Sequence, residues 1–416
     1  MKYVIIGNSA AAVGAVEGIR QRDKVNPITI ISDEPHHTYS RPLISYLLSG
    51  KVTVGKMGYR PADFYRQNHV NVLFGEKAVG IDTKQQNVFL ADNGSEAYDR
   101  LLIATGSRPG RLAIPGIDKK NVYTLYTMDD ALRLKQTARA GMKGVVLGAG
   151  LTAIKAAEAL VMLGVDTTLV VRSRILRNFL DDSAGSLLGR HLVQSGLRLA
   201  VGSEPAEIAG NEAAENVVLT DGRFLPCDFV VSAVGIEANT AVVAGSPVHV
   251  DQGILTDERM QTNVPRLYAA GDVAQGCDLL SGTQRIIPLL PVAYAQGETA
   301  GRNMAGDDAV YAGMGMNAVS FFGLPIISAG LIHGKDDDEI CLHTKEHQNQ
   351  YRKLTFRNGR LIGFILVDRI DRAGILTWLI REKINITPFR QSLLDGTFNH
   401  AHLPAALRRE KLSAAT

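Results

Sequence analysis

The chain has 416 residues, of which 45% are hydrophobic and 21% charged, a composition typical of a globular protein with more than one domain. The formal net charge of +3 gives no reason to expect nucleic-acid binding. Cys227, Cys277 and Cys341 are widely spaced, which argues against a disulfide framework or a metal site. The first apolar segment is too short for a signal peptide, so we expect a cytoplasmic protein that does not enter a membrane.

The first forty residues predict a βαβ unit. A strand over Tyr3–Ile6 is followed by a tight turn at Gly7, an alanine-rich helix over Ala10–Arg22 and a second strand over Ile28–Ile31. Only the first glycine of a Gly-x-Gly-x-x-Gly turn is kept. A small-residue turn before a helix is nevertheless the arrangement that lets a pyrophosphate approach backbone N–H groups.

Two acidic residues, Asp33 and Glu34, follow the second strand of this unit. At this position a carboxylate accepts hydrogen bonds from ribose hydroxyls in dinucleotide-binding folds. We therefore expect at least one of them to bind ribose. The alternative is a loop of solvated acids.

A second βαβ unit begins at Gly144, with the turn Gly148-Ala149-Gly150, a helix over Leu151–Leu163 and a strand over Thr167–Val171. No acidic residue follows this strand. Three arginines do, Arg172, Arg174 and Arg177. Because guanidinium groups bind a 2′-phosphate that a carboxylate would repel, the pattern favours NADPH over NADH, against the alternative of a basic surface loop.

The remaining elements continue this pattern and then change it. Phe229–Ala233 is a strand that ends near Gly235, and Leu267–Val273 is a strand that ends on the turn Gly271-Asp272. Beyond residue 313 we expect a hairpin around Asn358-Gly359 and then a helix. The predicted fold class is therefore α/β, with two doubly wound Rossmann-type dinucleotide-binding domains and a smaller C-terminal α+β domain.

Several motifs together resemble the pyridine nucleotide-disulfide oxidoreductase superfamily, specifically its rubredoxin-reductase and nitrite-reductase-like FAD branch. The motifs are Val4–Ala11, Tyr39–Leu43, Leu101–Pro109, the turn at Gly148 and Tyr268–Val273. The resemblance implies that FAD contacts Gly7, Ser9, Ala10, Ala11, Arg41, Pro42, Ala104, Thr105, Gly106, Arg108, Gly271, Asp272, Pro291 and Val292. It implies that the nicotinamide nucleotide contacts Gly148, Gly150, Leu151, Thr152, Ala153 and Gly235.

The resemblance also implies how the domains are divided. We expect an FAD-binding domain made of residues 1–112 and 245–312, an NAD(P)H-binding domain at 113–244 and a C-terminal domain at 313–416. Hydride would pass from the nicotinamide to the flavin across the boundary between the first two domains.

The sequence departs from many relatives near the reactive face of the flavin. The segment His37–Leu48 lacks the cysteine of disulfide-reducing members. Many members also have a lysine at the position of Tyr46, paired with a glutamate at the position of Lys155. We hypothesise that Lys155 supplies the missing positive charge and stabilises negative charge on the reduced flavin. The alternative is that Lys155 pairs with an acid such as Glu158.

These features predict an FAD-dependent NAD(P)H oxidoreductase that passes electrons to an iron–sulfur carrier protein of ferredoxin or rubredoxin type. A mildly basic C-terminal domain, with 14 Lys and Arg against 10 Asp and Glu over residues 314–416, suits such a partner. Two alternatives remain open: an oxidase that uses oxygen, and a low-turnover flavoprotein that senses redox state or serves as an assembly subunit. The resemblance further implies a homodimer.

Overall fold

The computed structural model describes residues 1–335, 337–345 and 349–412. The chain divides into two compact units. The first comprises Met1–Gly148, Thr152–Val170 and Ser203–Gly315, and the second comprises Ala149–Leu151, Val171–Gly202 and the chain from Met316 onward. This division does not test the domain boundaries expected from the sequence, which stay a prediction.

The helices are α1 (Ala10–Arg22), α2 (Ile44–Leu48), α3 (Phe64–Gln67), α4 (Met128–Thr137), α5 (Leu151–Met162), α6 (Asp182–Gln194), α7 (Leu290–Met304), α8 (Ala373–Arg381), α9 (Arg390–Leu394) and α10 (Ala405–Leu412). The strands are β1 (Tyr3–Ile6), β2 (Ile28–Ser32), β3 (Val70–Phe74), β4 (Ala78–Asp82), β5 (Asn87–Leu90), β6 (Ser95–Ala97), β7 (Arg100–Ile103), β8 (Ser107–Pro109), β9 (Val122–Tyr123), β10 (Lys143–Leu147), β11 (Asp166–Val171), β12 (Arg198–Val201), β13 (Pro205–Ala209), β14 (Asn216–Leu219), β15 (Phe224–Pro226), β16 (Phe229–Ser232), β17 (Ile236–Ala238), β18 (Ile254–Leu255), β19 (Leu267–Ala269), β20 (Ala274–Cys277), β21 (Gln284–Arg285), β22 (Met316–Phe321), β23 (Leu324–Gly330), β24 (Glu339–Lys345), β25 (Gln350–Arg357) and β26 (Arg360–Val367).

The first unit is built on two parallel sheets. One has the strand order β19-β7-β1-β2-β3, and within this unit the other runs β11-β10-β16-β9. Their central strands are continuously apolar and buried, as parallel strands covered on both faces must be. Chain order and strand order differ in both sheets, and this creates the crevice at the carboxyl ends of the strands where such folds bind ligands.

Helices α1 and α7 cover the first sheet and pack against each other in parallel. A Cβ atom on Gly14 would lie 2.2 Å from the carbonyl oxygen of Tyr294, and one on Gly297 would lie 2.0 Å from that of Ala11. The two helix backbones therefore touch directly, which only glycine permits. Since residue numbers rise together along the contact, the N-termini of both helices lie at the same end.

A short antiparallel ribbon joins the segments that connect the two sheets. It is formed by β8 and β17, with Arg108 opposite Glu237. The backbone N–H of Gly110 donates to the carbonyl oxygen of Gly235 at 2.9 Å and extends the ribbon by one pair. The two chain segments that connect the sheets are thus hydrogen-bonded to each other.

The second unit contains an antiparallel sheet with the strand order β22-β23-β26-β25-β24. The hairpin between β25 and β26 turns at Asn358 and Gly359, both with positive φ, as the Asn-Gly pair predicts. Helix α8 packs its apolar face on β26, and helix α6 belongs to the same unit.

The predicted fold class is confirmed: parallel-sheet α/β folding is followed by a smaller sheet domain. No helix within the described part of the chain is both long and apolar enough to span a membrane.

Candidate active site

The first glycine turn brings two strand ends together. Gly7 has φ of +113°, and a Cβ atom there would lie 2.1 Å from the carbonyl oxygen of Ala104. The N–H of Ala104 donates to the carbonyl oxygen of Ile6 at 2.8 Å. A side chain at Gly7 would push these strand ends apart, so this glycine is required although the other two of the motif are replaced.

Two uncapped helix N-termini converge beside this turn. Ser9 is the N-cap of α1, and Leu289 is the N-cap of α7, with Pro291 in its first turn; neither N-cap side chain makes a capping hydrogen bond among the described residues. Gly271 lies between them, since a Cβ atom on it would be 3.2 Å from Cβ of Ala11 and 3.5 Å from that of Ala293. Two positive helix ends with unused N–H donors at one place form a site for an anion.

The residues predicted to contact FAD from the first turns of α1 and α7 lie where these two helices begin. Ala10 and Ala11 are 4% and 5% exposed, and Val292 is 4% exposed, so small or apolar side chains bring the backbone close to a ligand. This arrangement fits a pyrophosphate, which needs backbone donors and no intervening side chain.

Asp272 follows Gly271 and belongs to a polar network. The hydroxyl of Ser107 donates to its carboxylate at 2.9 Å, and the same hydroxyl lies 2.8 Å from that of Tyr126. Burial raises the pKa of Asp272 above its ordinary value, although the Ser107 hydrogen bond and the charge of Arg41 oppose the shift. The carboxylate of Asp272 is partly buried, and Ser107 is the hydrogen-bond donor that the described residues give it. The hydroxyl groups of a ribityl chain are suited to supply further donors.

Arg41 is held from three sides. It forms an ion pair with Glu34, donates to the carbonyl oxygen of Tyr126 at 3.2 Å, and its guanidinium lies over the rings of Tyr39 and Tyr126. Tyr39 also donates to Glu34 at 2.6 Å. Glu34 thus orients an arginine, while Asp33 is exposed at the same strand end. Pro42 follows in a short 3₁₀ helix, Arg41–Leu43.

The segment after β7 is tied to the ribbon. Thr105 donates from its hydroxyl to the carbonyl oxygen of Asn239 at 2.7 Å, and the N–H of Asn239 donates to Gly106 at 2.9 Å. Arg108 forms an exposed ion pair with Glu237 at 2.9 Å. This ion pair lies between two residues that are directly opposite each other in the ribbon, and the predicted contact of Arg108 with FAD stays a prediction.

The second glycine turn repeats the geometry of the first. Gly148 has φ of +120°, and a Cβ atom there would lie 2.3 Å from the carbonyl oxygen of Ala233. Around a Cβ atom on Gly150, in contrast, the described residues leave open space within 4 Å. Helix α5 begins directly afterwards with Leu151, Thr152 and Ala153. A close strand contact at the first glycine and open space at the second suit a dinucleotide phosphate.

The three predicted arginines are exposed on the loop between β11 and α6. The N–H of Leu176, in the middle of this loop, donates to the carbonyl oxygen of Ala149 at 2.9 Å and so ties the loop to the second glycine turn. Arg174 forms an ion pair with Asp182, and the side chains of all three arginines are exposed. The loop follows β11, the strand after which dinucleotide-binding folds recognise a ribose 2′ substituent, and binding of a 2′-phosphate here stays a prediction.

Lys155 lies in α5 and is largely buried, with 14% of its side chain exposed. It forms an ion pair with Glu158, and its ammonium lies 4.6 Å from the ring centroid of Tyr46. The contact with Glu158 is the alternative weighed from the sequence. Tyr46 and Lys155 form a cation–π pair at the two positions where the resemblance implied a lysine and a glutamate. The effect of Lys155 on a flavin stays a prediction.

Sequence reasoning missed the residues that support this site. The motifs contain Ser107 and Tyr39 but gave neither a role, and Tyr126 lies in no motif. Ser107 bonds to Asp272 and Tyr126 to Arg41, and these partners are 165 and 85 residues apart. The spacing of glycines four apart in α1, Gly14 and Gly18, and again in α7, Gly297 and Gly301, was visible and could have predicted the helix contact.

Two glycine turns on parallel sheets, one of them beside two helix N-termini and a partly buried carboxylate, define a flavin- and nicotinamide-dependent oxidoreductase. The family described as pyridine nucleotide-disulphide oxidoreductase matches residues 1–297, and the rubredoxin NAD+ reductase C-terminal domain matches residues 316–384. The chain therefore belongs to the pyridine nucleotide-disulphide oxidoreductase family, whose members are FAD-dependent NAD(P)H oxidoreductases, and the resemblance inferred from sequence is confirmed.

Individual proteins are similar over nearly the whole chain. The NADH-dependent phenylglyoxylate dehydrogenase subunit epsilon of Aromatoleum evansii is 33% identical and is matched over 99% of this chain and 97% of its own length. The assimilatory nitrate reductase electron transfer subunit of Bacillus subtilis is 31% identical over 92% of this chain, which spans about half (49%) of that relative. The solved ferredoxin reductase from Rhodopseudomonas palustris has a TM-score of 0.86 at 25% identity, covering 93% of this chain and 96% of that one.

Proposed function

We propose that this protein transfers a hydride from NADPH to FAD and passes the electrons singly to an iron–sulfur carrier protein. The observation that carries the proposal is the convergence of two helix N-termini and the partly buried Asp272 on one point of the first unit. When bound, FAD supplies the capacity to take up two electrons as a hydride and to release them one at a time.

The residues of this protein would bind FAD and orient it for hydride transfer. The N–H groups at the start of α1 hold the FAD pyrophosphate, with Gly7 allowing its approach. Asp272 accepts hydrogen bonds from the ribityl hydroxyls. Glu34 fixes Arg41 beside the cofactor and retains lone pairs for ribose. No protein acid or base is needed for a hydride transfer.

The nicotinamide nucleotide would bind at the second glycine turn. Gly148, Gly150 and the start of α5 receive its pyrophosphate. Arg172, Arg174 and Arg177 would bind the 2′-phosphate of NADPH by charge-assisted hydrogen bonds. The first relative is named as NADH-dependent, so nucleotide preference has to be measured for this protein.

An iron–sulfur acceptor is supported by the C-terminal domain, which matches that of rubredoxin reductases, and by the likeness to a ferredoxin reductase. The sequence of His37–Leu48 offers no thiol that would pass electrons to a disulfide. A carrier that takes one electron at a time remains the best match to this site.

A second function is favoured by a relative that is 33% identical and is matched over 97% of its own length, the NADH-dependent phenylglyoxylate dehydrogenase subunit epsilon. In such an assembly the same site would work in the opposite direction, with electrons arriving from a partner subunit and leaving as hydride on the nicotinamide nucleotide. Hydride transfer between the two cofactors is reversible, so both functions use the same residues.

Anaerobic stopped-flow reduction with NADPH and with NADH tests the hydride step. We expect rapid bleaching of the flavin absorbance and tighter binding of NADPH. A tenfold preference for NADH would contradict the role given to the arginines, and very slow bleaching with both nucleotides would favour a sensor.

Acceptor assays then separate the remaining possibilities. We expect faster turnover with a ferredoxin or rubredoxin than with oxygen. Oxygen uptake equal to NADPH consumption, unaffected by either carrier, would indicate an oxidase. Rapid NAD+ or NADP+ reduction by reduced methyl viologen, with slow turnover in the forward direction, would favour the dehydrogenase subunit.

A further inference from the structure

The loop that carries the three arginines is anchored to the C-terminal sheet within the second unit. Asp181 ends this loop and is the N-cap of α6, where its carboxylate accepts from the N–H of Ala184 at 3.0 Å. The same carboxylate accepts from the hydroxyl of Tyr351 at 2.6 Å and lies 3.0 Å from the ammonium of Lys353. One carboxylate therefore joins the loop, a helix and a strand.

Lys353 is unusual in being buried, with 7% of its side chain exposed. Its long side chain and charge would ordinarily remain in water, and removing them from solvent is unfavourable unless a partner of opposite charge is present. Tyr351 and Lys353 are two residues apart on β25 and so project from the same face of the strand. Both reach Asp181, which makes this strand face a docking surface for the loop.

A second anchor lies earlier in the loop. The ring Nε2 of His333 is 3.2 Å from the carbonyl oxygen of Arg177. The loop is thus contacted at two points within the second unit, at Arg177 by His333 and at Asp181 by Tyr351 and Lys353 of β25.

We propose that Lys353 and Tyr351 are positioning residues for the nicotinamide nucleotide: through Asp181 they hold the Arg172–Arg177 loop in the conformation that binds the adenosine ribose and its 2′-phosphate. This rests on the proposed function, which gives that loop its ligand. The loop is already tied to the second glycine turn through Leu176 and Ala149. A loop that is ordered before binding loses less conformational freedom when the nucleotide arrives, which raises affinity.

The proposal predicts an effect on nucleotide affinity and little effect on chemistry. In Lys353→Met holoenzyme with ferricyanide as acceptor, we expect KM for NADPH to rise about tenfold, a loss of about 1.4 kcal/mol in binding, while kcat stays within about twofold. Lys353→Arg keeps the charge and should restore most of the affinity. Arg381→Met, an exposed change at the end of α8, removes the same charge from the same unit and should leave KM unchanged.

Tyr351→Phe provides a milder variant in case Lys353→Met fails to fold, because it deletes only the hydroxyl that donates to Asp181. A smaller rise in KM, again with constant kcat, is expected. Unchanged KM in folded Lys353→Met and Tyr351→Phe, or a fall in kcat at constant KM, would overturn the proposal.

The parent enzyme separates this inference from the proposed function. If it prefers NADH, the 2′-phosphate role of the arginines fails, and the positioning role is then judged on KM for NADH in the same variants. If the parent prefers NADPH but Lys353→Met leaves both KM values unchanged, the positioning role alone fails.

Discussion

Asp272 is the residue on which flavin binding should depend most directly. It is a partly buried carboxylate with Ser107 as one donor, and ribityl hydroxyls would supply the others. We expect Asp272→Ala to weaken FAD binding by about 2 kcal/mol, roughly thirtyfold, because hydrogen bonds to a charged group are lost. Flavin release followed by fluorescence measures this. Asp118→Ala, at an exposed aspartate of the same unit, is the control, and equal flavin retention in both variants would contradict the assignment.

The same carboxyl group should give flavin-free protein a distinctive pH dependence. Burial raises the pKa of Asp272 when the chain is folded, so its protonated form favours folding. The stability it contributes is complete below its unfolded pKa of about 3.9 and is lost as pH rises through the folded pKa. Flavin-free Asp272→Asn should therefore gain stability relative to the parent between pH 4 and 7, as followed by urea unfolding. A constant difference across this range would argue against a raised pKa.

Lys155 tests whether a relocated positive charge matters at the flavin. If it does, Lys155→Met should lower the flavin reduction potential and slow reduction by NADPH by about tenfold, or about 1.4 kcal/mol in activation free energy. Lys51→Met is a matched control, since the Lys51 ammonium lies farther from the ring of Tyr46, at 5.7 Å compared with 4.6 Å. If Lys155→Met keeps both potential and rate, Lys155 has no role at the flavin, and its contacts with Glu158 and Tyr46 are structural.

At the scale of elements, the contact between α1 and α7 holds the first site together. A Cβ atom on Gly297 would lie 2.0 Å from a backbone oxygen of α1, so Gly297→Ala should reduce the free energy of unfolding by about 1–3 kcal/mol through overpacking. Gly374→Ala in α8, where the described residues leave open space, should instead raise stability slightly, by about 0.5–1 kcal/mol. Thermal unfolding of both variants compares them, and similar shifts would mean that the helices have room to separate.

The elements that sequence predicted well are those with local causes. Glycine turns, apolar strands and the Asn358-Gly359 hairpin follow from backbone and side-chain preferences of a few neighbouring residues. The anchoring of Asp181 by Lys353 was beyond sequence analysis because 172 residues separate them. A buried lysine and an exposed one look alike in a sequence, so only packing distinguishes them. Tyr126 of the flavin site was missed for the same reason, since its partner Arg41 is 85 residues away.

At the scale of the whole molecule, the three cysteines should take no part in turnover. Cys277 is exposed, whereas Cys227 is buried and burial raises its pKa to about 11. Since only a thiolate reacts rapidly, iodoacetamide at pH 7.5 should modify Cys277 first and leave Cys227 intact. Flavin reduction by NADPH should survive this treatment. Mass spectrometry locates the label, and loss of flavin reduction in proportion to labelling would reveal a thiol relay.

The parallel packing of α1 and α7 carries an electrostatic penalty for protein that lacks its flavin. The two helix N-termini have dipole ends of the same sign that lie side by side and repel each other, and neither N-cap side chain makes a capping hydrogen bond among the described residues. A diphosphate at that point would neutralise both, so ligand binding and cohesion of this helix pair are thermodynamically linked. When the site holds no flavin, the contact between α1 and α7 should loosen first. Backbone amide hydrogen exchange would then be fastest in these two helices, while the parallel sheet beneath them stayed protected.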